Sequence, residues 1–298
     1  MTEFLKPRIV VSKCIEFDNC RYNGQMISSD FVNQLKSFVE FIPVCPEFEI
    51  GLGIPRDPIR IISYDGDLKL FQPSTEKDIT SNMIDFSNSF LGKLSEVEGF
   101  ILKSKSPSCG IKDVKIYTVK GQQPKEPKGS GFFGKAVLKK YSNLAIEDEN
   151  RLTNSRIKQH FLTKIYTLRR FNEIKKTKSI RQLIEFQTYN KLLFGAYNQK
   201  EAKELGRAVA NLENLSIEKV LLNYETHLSN LLSKPPKCPP NINILSHGFG
   251  YISHNLNKKE KDFFFEAIEK YRKGQVSLSV PTNILKSWVL RFDEKYLE

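Results

Sequence analysis

The sequence predicts an α/β N-terminal domain, built on a mostly parallel, Rossmann-like sheet, followed by an all-α C-terminal domain. Three observations predict it. Short apolar runs alternate with helical periodicities over the first 150 residues. Beyond that point no convincing strand occurs, and apolar residues recur at helical spacing instead. The charge changes at the same place. Residues 1–150 carry 20 Lys+Arg against 20 Asp+Glu, whereas residues 151–298 carry 26 against 14, so the whole net charge of +12 lies in the second half. All four histidines also lie in the second half, and four of the five cysteines in the first. These shifts mark two domains, 1–150 and 151–298, with a boundary near 145–155.

The elements follow in order. RIVVSK (8–13) is a short apolar run that ends at Cys14. Residues 28–40 open with Ser28, Ser29 and Asp30 and place Phe31, Leu35, Phe38 and Val39 on one helical face. FIPV (41–44) is a strand ending at Cys45, and IRIIS (59–63) is another, followed by a turn at Asp65-Gly66-Asp67. Residues 76–97 read as a long helix. GFILK (99–103) is a strand leading to SKSPSCG with Cys109; a helix over 133–141 and a last strand at 143–146 close the first half. In the second half, 154–176, 179–197, 200–213 and 216–233 read as helices with basic outer faces. The segment KPPKCPPN (234–241) is a proline-rich break, and three more helical segments follow.

At 298 residues and 40% hydrophobic composition the chain has enough apolar material for two cores, which excludes a disordered protein. No apolar run approaches the roughly 18 residues of a membrane span. The N-terminal stretch lacks a long apolar segment with a cleavage site, so a cytoplasmic protein is expected, with no membrane partner.

The five cysteines are irregularly spaced and contain no CxxC, so neither a disulfide framework nor a zinc ribbon is expected. They are either buried thiols or ligands that converge only in the fold. One placement bears on this. Cys14 and Cys45 each directly follow a predicted strand, and Cys109 lies a few residues beyond one. In parallel sheets ligands bind outside the carboxyl ends of the strands, so all three thiols are expected at one edge. Glu47, two residues after Cys45, is either a helix-start acid or a general acid or base beside a metal centre. Ser104, Ser106 and Ser108 around Cys109 serve either turn chemistry or bonds to a sulfur or a substrate.

GSGFFG (129–134) matches GxGxxG, but it does not follow the first strand, so it reads as a glycine-rich loop entering a helix rather than a dinucleotide site. Its backbone N–H groups are still candidates for holding a phosphate. The basic second half is either a solvated face or a nucleic-acid surface; Tyr166, Phe171, Tyr189 and Tyr197, interleaved with its cations, are core residues or stacking platforms. The histidines show no HExxH or similar spacing, although His247 and His254, seven apart, could share a helix face and offer a metal site.

The segments IVVSKCIEFDNCRYNG, VCPEFEIGLGIPR and ILKSKSPSCG, in this order, resemble the three signature segments of the thiouracil desulfidase (TudS) family, and GSGFFGKAVLKKY resembles its closing loop and helix. IEDENRLTNSRIKQHFLTKIYTLRRF, FQTYNKLLFGAYNQKEAKELGRAVA, NINILSHGFGYI and VPTNILKSWVLRF resemble the helical domain of unknown function fused to this module in longer members. The resemblance implies a 4Fe-4S cluster held by Cys14, Cys45 and Cys109, with one iron left open. It implies removal of sulfur from thiolated uracil compounds such as 4-thiouridine monophosphate, by hydrolysis without net electron transfer, releasing hydrosulfide. The family's acid–base glutamate maps to Glu47 and its assisting serine to Ser106. Ser104, Lys105 and Ser108, with the backbone of Gly129 and Gly131, are candidates for substrate or phosphate contacts; Arg56 and Arg60 either join them or simply pair with nearby acids. Cys20, six residues after Cys14, reads as a non-ligand, and Cys238 has no expected cluster role. The expected partner is a small thiolated pyrimidine or nucleotide, or thiolated tRNA held through the basic half. Two alternatives stand beside this. One is an RNA-binding module whose cluster is structural or redox-sensing; the other is a buried-thiol α/β domain with no cluster.

Overall fold

In the computed structural model, residues 5–64, 66–118, 124–211 and 214–297 are described, with the side chains of 124–128 left aside. The chain divides into two compact units, Met1–Arg170 and Phe171–Glu298. The packing boundary falls inside a helix, some 20 residues beyond the change in composition.

The first unit contains two sheets. The strands β1 (Arg8–Ser12), β2 (Glu40–Val44), β6 (Gly99–Leu102) and β9 (Ala145–Asp148) form a four-stranded sheet in the order β2-β1-β6-β9. Every pairing in it is parallel. Side chains alternate across the sheet with period two. Ile9 and Val11 of β1 and Ile101 of β6 face one side, against Val32 and Leu35 of α1 (Asp30–Leu35) and Phe161 and Ile165 of α5 (Ser155–Thr177). Val10, Phe100 and Leu102 face the other. There they meet Met83 and Leu91 of α3 (Thr80–Lys93), Phe133 and Val137 of α4 (Phe132–Lys140), and the second sheet. Both faces are covered, which is why β1 and β6 are almost continuously apolar. Pro43 lies in β2, an edge strand, where a missing N–H costs no ladder bond.

The second sheet was not expected as a separate body. Its order is β5-β4-β3-β7-β8, from β3 (Arg60–Tyr64), β4 (Asp67–Gln72), β5 (Lys77–Asp78), β7 (Val114–Thr118) and β8 (Pro124–Gly129). Only β3 and β7 run parallel; hairpins join the rest. IRIIS thus belongs here and not to the parallel sheet. The helix read over 76–97 begins at Thr80 because Lys77–Asp78 pairs with β4 instead.

The second unit is helical. After the end of α5 it consists of α6 (Ile180–Tyr197), α7 (Gln199–Ala210), α8 (Ile217–Leu231), α9 (Cys238–Ile252), α10 (Lys258–Arg272) and α11 (Ser279–Phe292). Three of the helix starts carry side-chain caps: Ser179 and Asn198 accept first-turn N–H groups, and Asn257 with Glu260 forms a reciprocal capping box. One core stacks Phe171 on Tyr224 at 5.4 Å beside Phe186; another stacks Phe249 on Phe264 at 4.7 Å beside Trp288. No helix among the described residues is long and apolar enough to cross a membrane.

Candidate active site

The site follows from the topology of the parallel sheet. The chain leaves β1 for β2 on one side, while β6 pairs with β1 on the other. The crevice at such a switch point is where open parallel sheets bind ligands. Cys14, Cys45 and Cys109 follow β1, β2 and β6, the three adjacent strands, and all three line one cavity of about 350 Å³ at that edge. Each thiol is buried.

Local structure fixes each cysteine. The Cys14 carbonyl accepts Ile27 N–H at 2.7 Å, and Lys13 N–H donates to the Val44 carbonyl at the end of β2. Cys45 is the N-cap of the four-residue helix α2 (Pro46–Glu49), with Pro46 at its first position, so Glu47 falls in the first turn and its carboxylate enters the cavity. Cys109 sits in a serine-built turn: Ser106 Oγ accepts the N–H groups of Ser108 at 3.2 Å and Cys109 at 3.1 Å. That turn is pressed against the start of α4. Gly131, Phe132 and Gly134 donate their N–H groups to the carbonyls of Gly110, Pro107 and Ser108. A Cβ at Gly134 would lie 2.4 Å from the Gly110 carbonyl oxygen, and one at Gly131 2.5 Å from that of Ser108.

This corrects one expectation. The glycines of GSGFFG do not offer free N–H groups to a phosphate, because those of Gly131 and Gly134 are spent on the Cys109 turn, and neither Gly129 nor Gly131 lines the cavity. Gly129 pairs with Val114 in the second sheet. Ser104 lines the cavity but is held in a buried network. Its hydroxyl donates to Glu149 at 2.7 Å and accepts from Asn150 at 2.8 Å, while Lys103 Nζ pairs with the same glutamate. Lys105 lines the mouth in a left-handed backbone conformation, φ 57°. Arg60 lies outside, over the Tyr117 ring.

Glu47 is held at both oxygens. Oε1 accepts the Ser108 hydroxyl at 2.6 Å; Oε2 pairs with Arg56, 2.9 Å from Nε and 2.7 Å from Nη2. Ser106 Oγ lies 2.9 Å from Ser108 Oγ. Since the single Ser108 proton is given to Glu47, the Ser106 hydroxyl is the donor in that contact. Ser108 is thus the serine against the carboxylate, and Ser106 stands one bond further out. Arg56 is the site residue the sequence reading left undecided; the signal was its position nine residues after Glu47, beyond the GLG turn.

Three of the thiols, Cys20, Cys45 and Cys109, are pushed toward the neutral form. Hydrogen bonding with the Cys14 thiol, helped by burial, raises Cys20 to about 11. Hydrogen bonding with Cys20, then burial, raises Cys45 far above the ordinary thiol range. Burial raises Cys109 to about 12. Cys20 is therefore a fourth thiol of the same cavity, in contact with Cys14 and Cys45, although it follows no strand. Cys238 opens α9 in the second unit and lines no part of the cavity. Among the described residues no three His, Cys, Asp or Glu side chains are set around a single ion position. The three strand-end thiols line one cavity, and Cys thiolates are the ordinary ligands of iron–sulfur clusters.

In the second unit the aromatic residues interleaved with cations do not form one platform. Phe171 is core, while Tyr189 is 82% exposed. Many of the unit's cations pair with a neighbouring acid, as Lys175 does with Glu225, Lys178 with Glu218 and Arg207 with Glu204.

Comparison with known proteins agrees with this division. The 2-thiouracil desulfurase family model matches residues 9–149, and that of a protein family of unknown function, DUF1722, matches residues 191–298. The protein YbbK of Bacillus subtilis (strain 168) is 31% identical over 154 residues, which is 49% of this chain and 98% of YbbK. The protein YbgA of Escherichia coli (strain K12) is 25% identical over 138 residues, 46% of this chain and 82% of YbgA. Among solved structures, the [4Fe-4S]-dependent thiouracil desulfidase TudS is similar at 27% identity and a TM-score of 0.39, over 50% of this chain and 94% of its own. The chain therefore belongs to the 2-thiouracil desulfurase family, with a DUF1722 domain following the desulfurase domain.

Proposed function

We propose that this protein removes sulfur from thiolated uracil compounds, with 4-thiouridine monophosphate as the test substrate, by hydrolysis at a 4Fe-4S cluster held by Cys14, Cys45 and Cys109. The observation that carries the reading is the convergence of three buried thiols from adjacent strand ends on a cavity that also holds the Glu47–Ser108 pair. When bound through three thiolates, such a cluster supplies an iron without a protein ligand, a soft Lewis acid suited to a thiocarbonyl sulfur.

The chain's own residues do the rest. Glu47 takes a proton from the water that attacks the thiocarbonyl carbon. Carbon–sulfur cleavage then gives the carbonyl compound and hydrosulfide, with no electron gained or lost. Ser108 donates to Glu47 Oε1 in the resting site, and its partner Ser106 keeps that hydroxyl oriented. Burial of the thiols keeps bulk water from the ligand sulfurs. Lys13, Arg21 and Lys105 line the same cavity and give it a positive rim for a nucleotide phosphate.

The test is sulfide release from 4-thiouridine monophosphate by anaerobically reconstituted protein, followed with loss of the thiocarbonyl absorption. An iron-loaded wild-type protein that turns over, and a Cys109→Ala variant that loses both turnover and iron, is the expected result. An iron-loaded wild-type protein that releases no sulfide overturns the reading.

A further inference from the structure

Arg56 makes more contacts at the site than an ion pair with Glu47 requires. Its side chain is 3% exposed. Nη1 donates to the Gly53 carbonyl at 3.0 Å, and Nη2 donates to the Cys20 carbonyl at 3.0 Å and lies 4.0 Å from Cys45 Sγ. Its backbone N–H is bonded to the Tyr22 carbonyl. The Nε–Nη2 edge of the guanidinium thus meets the acid–base carboxylate, and the same Nη2 lies beside a thiol expected to bind iron.

We propose that Arg56 is a positioning residue with two effects: it fixes the Glu47 carboxylate toward the cavity, and it places a permanent positive charge beside the Cys45 sulfur. This rests on the cluster reading of the three cysteines. A guanidinium is always charged and presents its donors in a fixed fork, so orientation and charge come from one group. Positive charge and N–H donation near a ligand sulfur favour the reduced cluster, because they offset the added electron. An ammonium at the same place would keep the charge and lose the fork.

The experiment uses the full-length, iron-loaded protein with Arg56→Gln and Arg56→Lys. The first readout is the midpoint of reductive titration of the cluster, followed by electron paramagnetic resonance. Arg56→Gln is expected to shift the reduction equilibrium about tenfold toward the oxidised form, which is about 59 mV for one electron. Arg56→Lys is expected to recover most of that shift. The second readout is the split between kcat and KM. kcat is expected to fall at least about tenfold in both variants with KM little changed, since the group touches the acid–base residue and not the substrate.

A purely structural ion pair would lower thermal stability and leave the midpoint where it was, and an unmoved midpoint in Arg56→Gln overturns the proposal. Wild-type kcat in Arg56→Lys overturns the orienting role. If Arg56→Gln does not fold, Arg56→Met takes its place in the titration: the same tenfold shift supports the proposal, and an unmoved midpoint overturns it. A shifted midpoint in a protein that releases no sulfide leaves Arg56 in place and removes the desulfidase reading. Sulfide release with an unmoved midpoint does the reverse. A wild-type chain that takes up no iron removes both.

Discussion

The two sheets of the first unit are covered by a shared core, yet only one of them ends in chemistry. In the parallel sheet the chain must leave each strand at the same edge and return by another route, so the residues after β1, β2 and β6 collect in one place. In the second sheet β3 turns back into β4 and β7 into β8, and the strand ends are consumed by hairpins. From the segment just ahead of β3, Arg56 reaches the cavity to pair with Glu47, and Pro58 and Ile59 serve as wall. The lesson is one of connectivity: parallel pairing leaves loose ends on one side, and those ends are free to carry ligands.

Substitutions on the two sheets separate activity from stability. The largest effect is expected from Glu47→Gln, at the parallel edge: kcat should fall about 10²–10⁴-fold, the usual range for losing a general acid or base, with iron content unchanged. A kcat within threefold of wild type would remove Glu47 from the reaction. Next is Leu70→Ala in β4, a fully buried core residue. It is expected to cost about 3 kcal/mol in denaturant unfolding, with KM and kcat of the folded protein unchanged. A selective loss of turnover would show that the hairpin sheet shapes the site after all.

Lys164, on α5 and 6% exposed, has its pKa lowered to about 8 by burial, with Glu147 of β9 opposing the shift. A folded value below the unfolded one means that the unfolded chain binds the proton more readily between about 8 and 10.5. Stability is therefore expected to rise with pH across that window and to be lowest below it. Lys164→Met should gain about 2 kcal/mol at neutral pH, and the gain should vanish above pH 10.5; thermal melts at three pH values decide it. The smallest effect is expected from Ser108→Ala, which removes one bond to Glu47 and should lower kcat about tenfold. Ser106→Ala, one bond further out, should lower it less. The reverse order would exchange the roles assigned to the two hydroxyls.

What the sequence disclosed follows the same division. Buried parallel strands are apolar throughout, so β1 and β6 were visible, the edge strand β2 showed as the short apolar run FIPV, and with them came the positions of Cys14, Cys45 and Cys109. The hairpin sheet was not, because DLKLFQ is mixed in polarity and PKEPKG contains prolines that argue against a strand unless it lies at an edge, as β8 does. Cys20 and Arg56 reach the site from loops, where no periodicity marks which way a side chain turns. The choice between Ser106 and Ser108 rests on where a single hydroxyl proton goes, which spacing alone does not encode.

The seam between the first turn of α4 and the Cys109 turn has a consequence for how the protein is assembled. Backbone bonds from Gly131, Phe132 and Gly134 hold that turn, and Cys14 and Cys45 are anchored in the same way by the ends of β1 and β2. Small zinc domains gain their fold from the ion and lose it to a chelator. Here the shape around Cys109 is written in the backbone: a methyl at Gly131 or Gly134 would meet a carbonyl oxygen of that turn, so a substitution outside the cavity should move a thiol inside it.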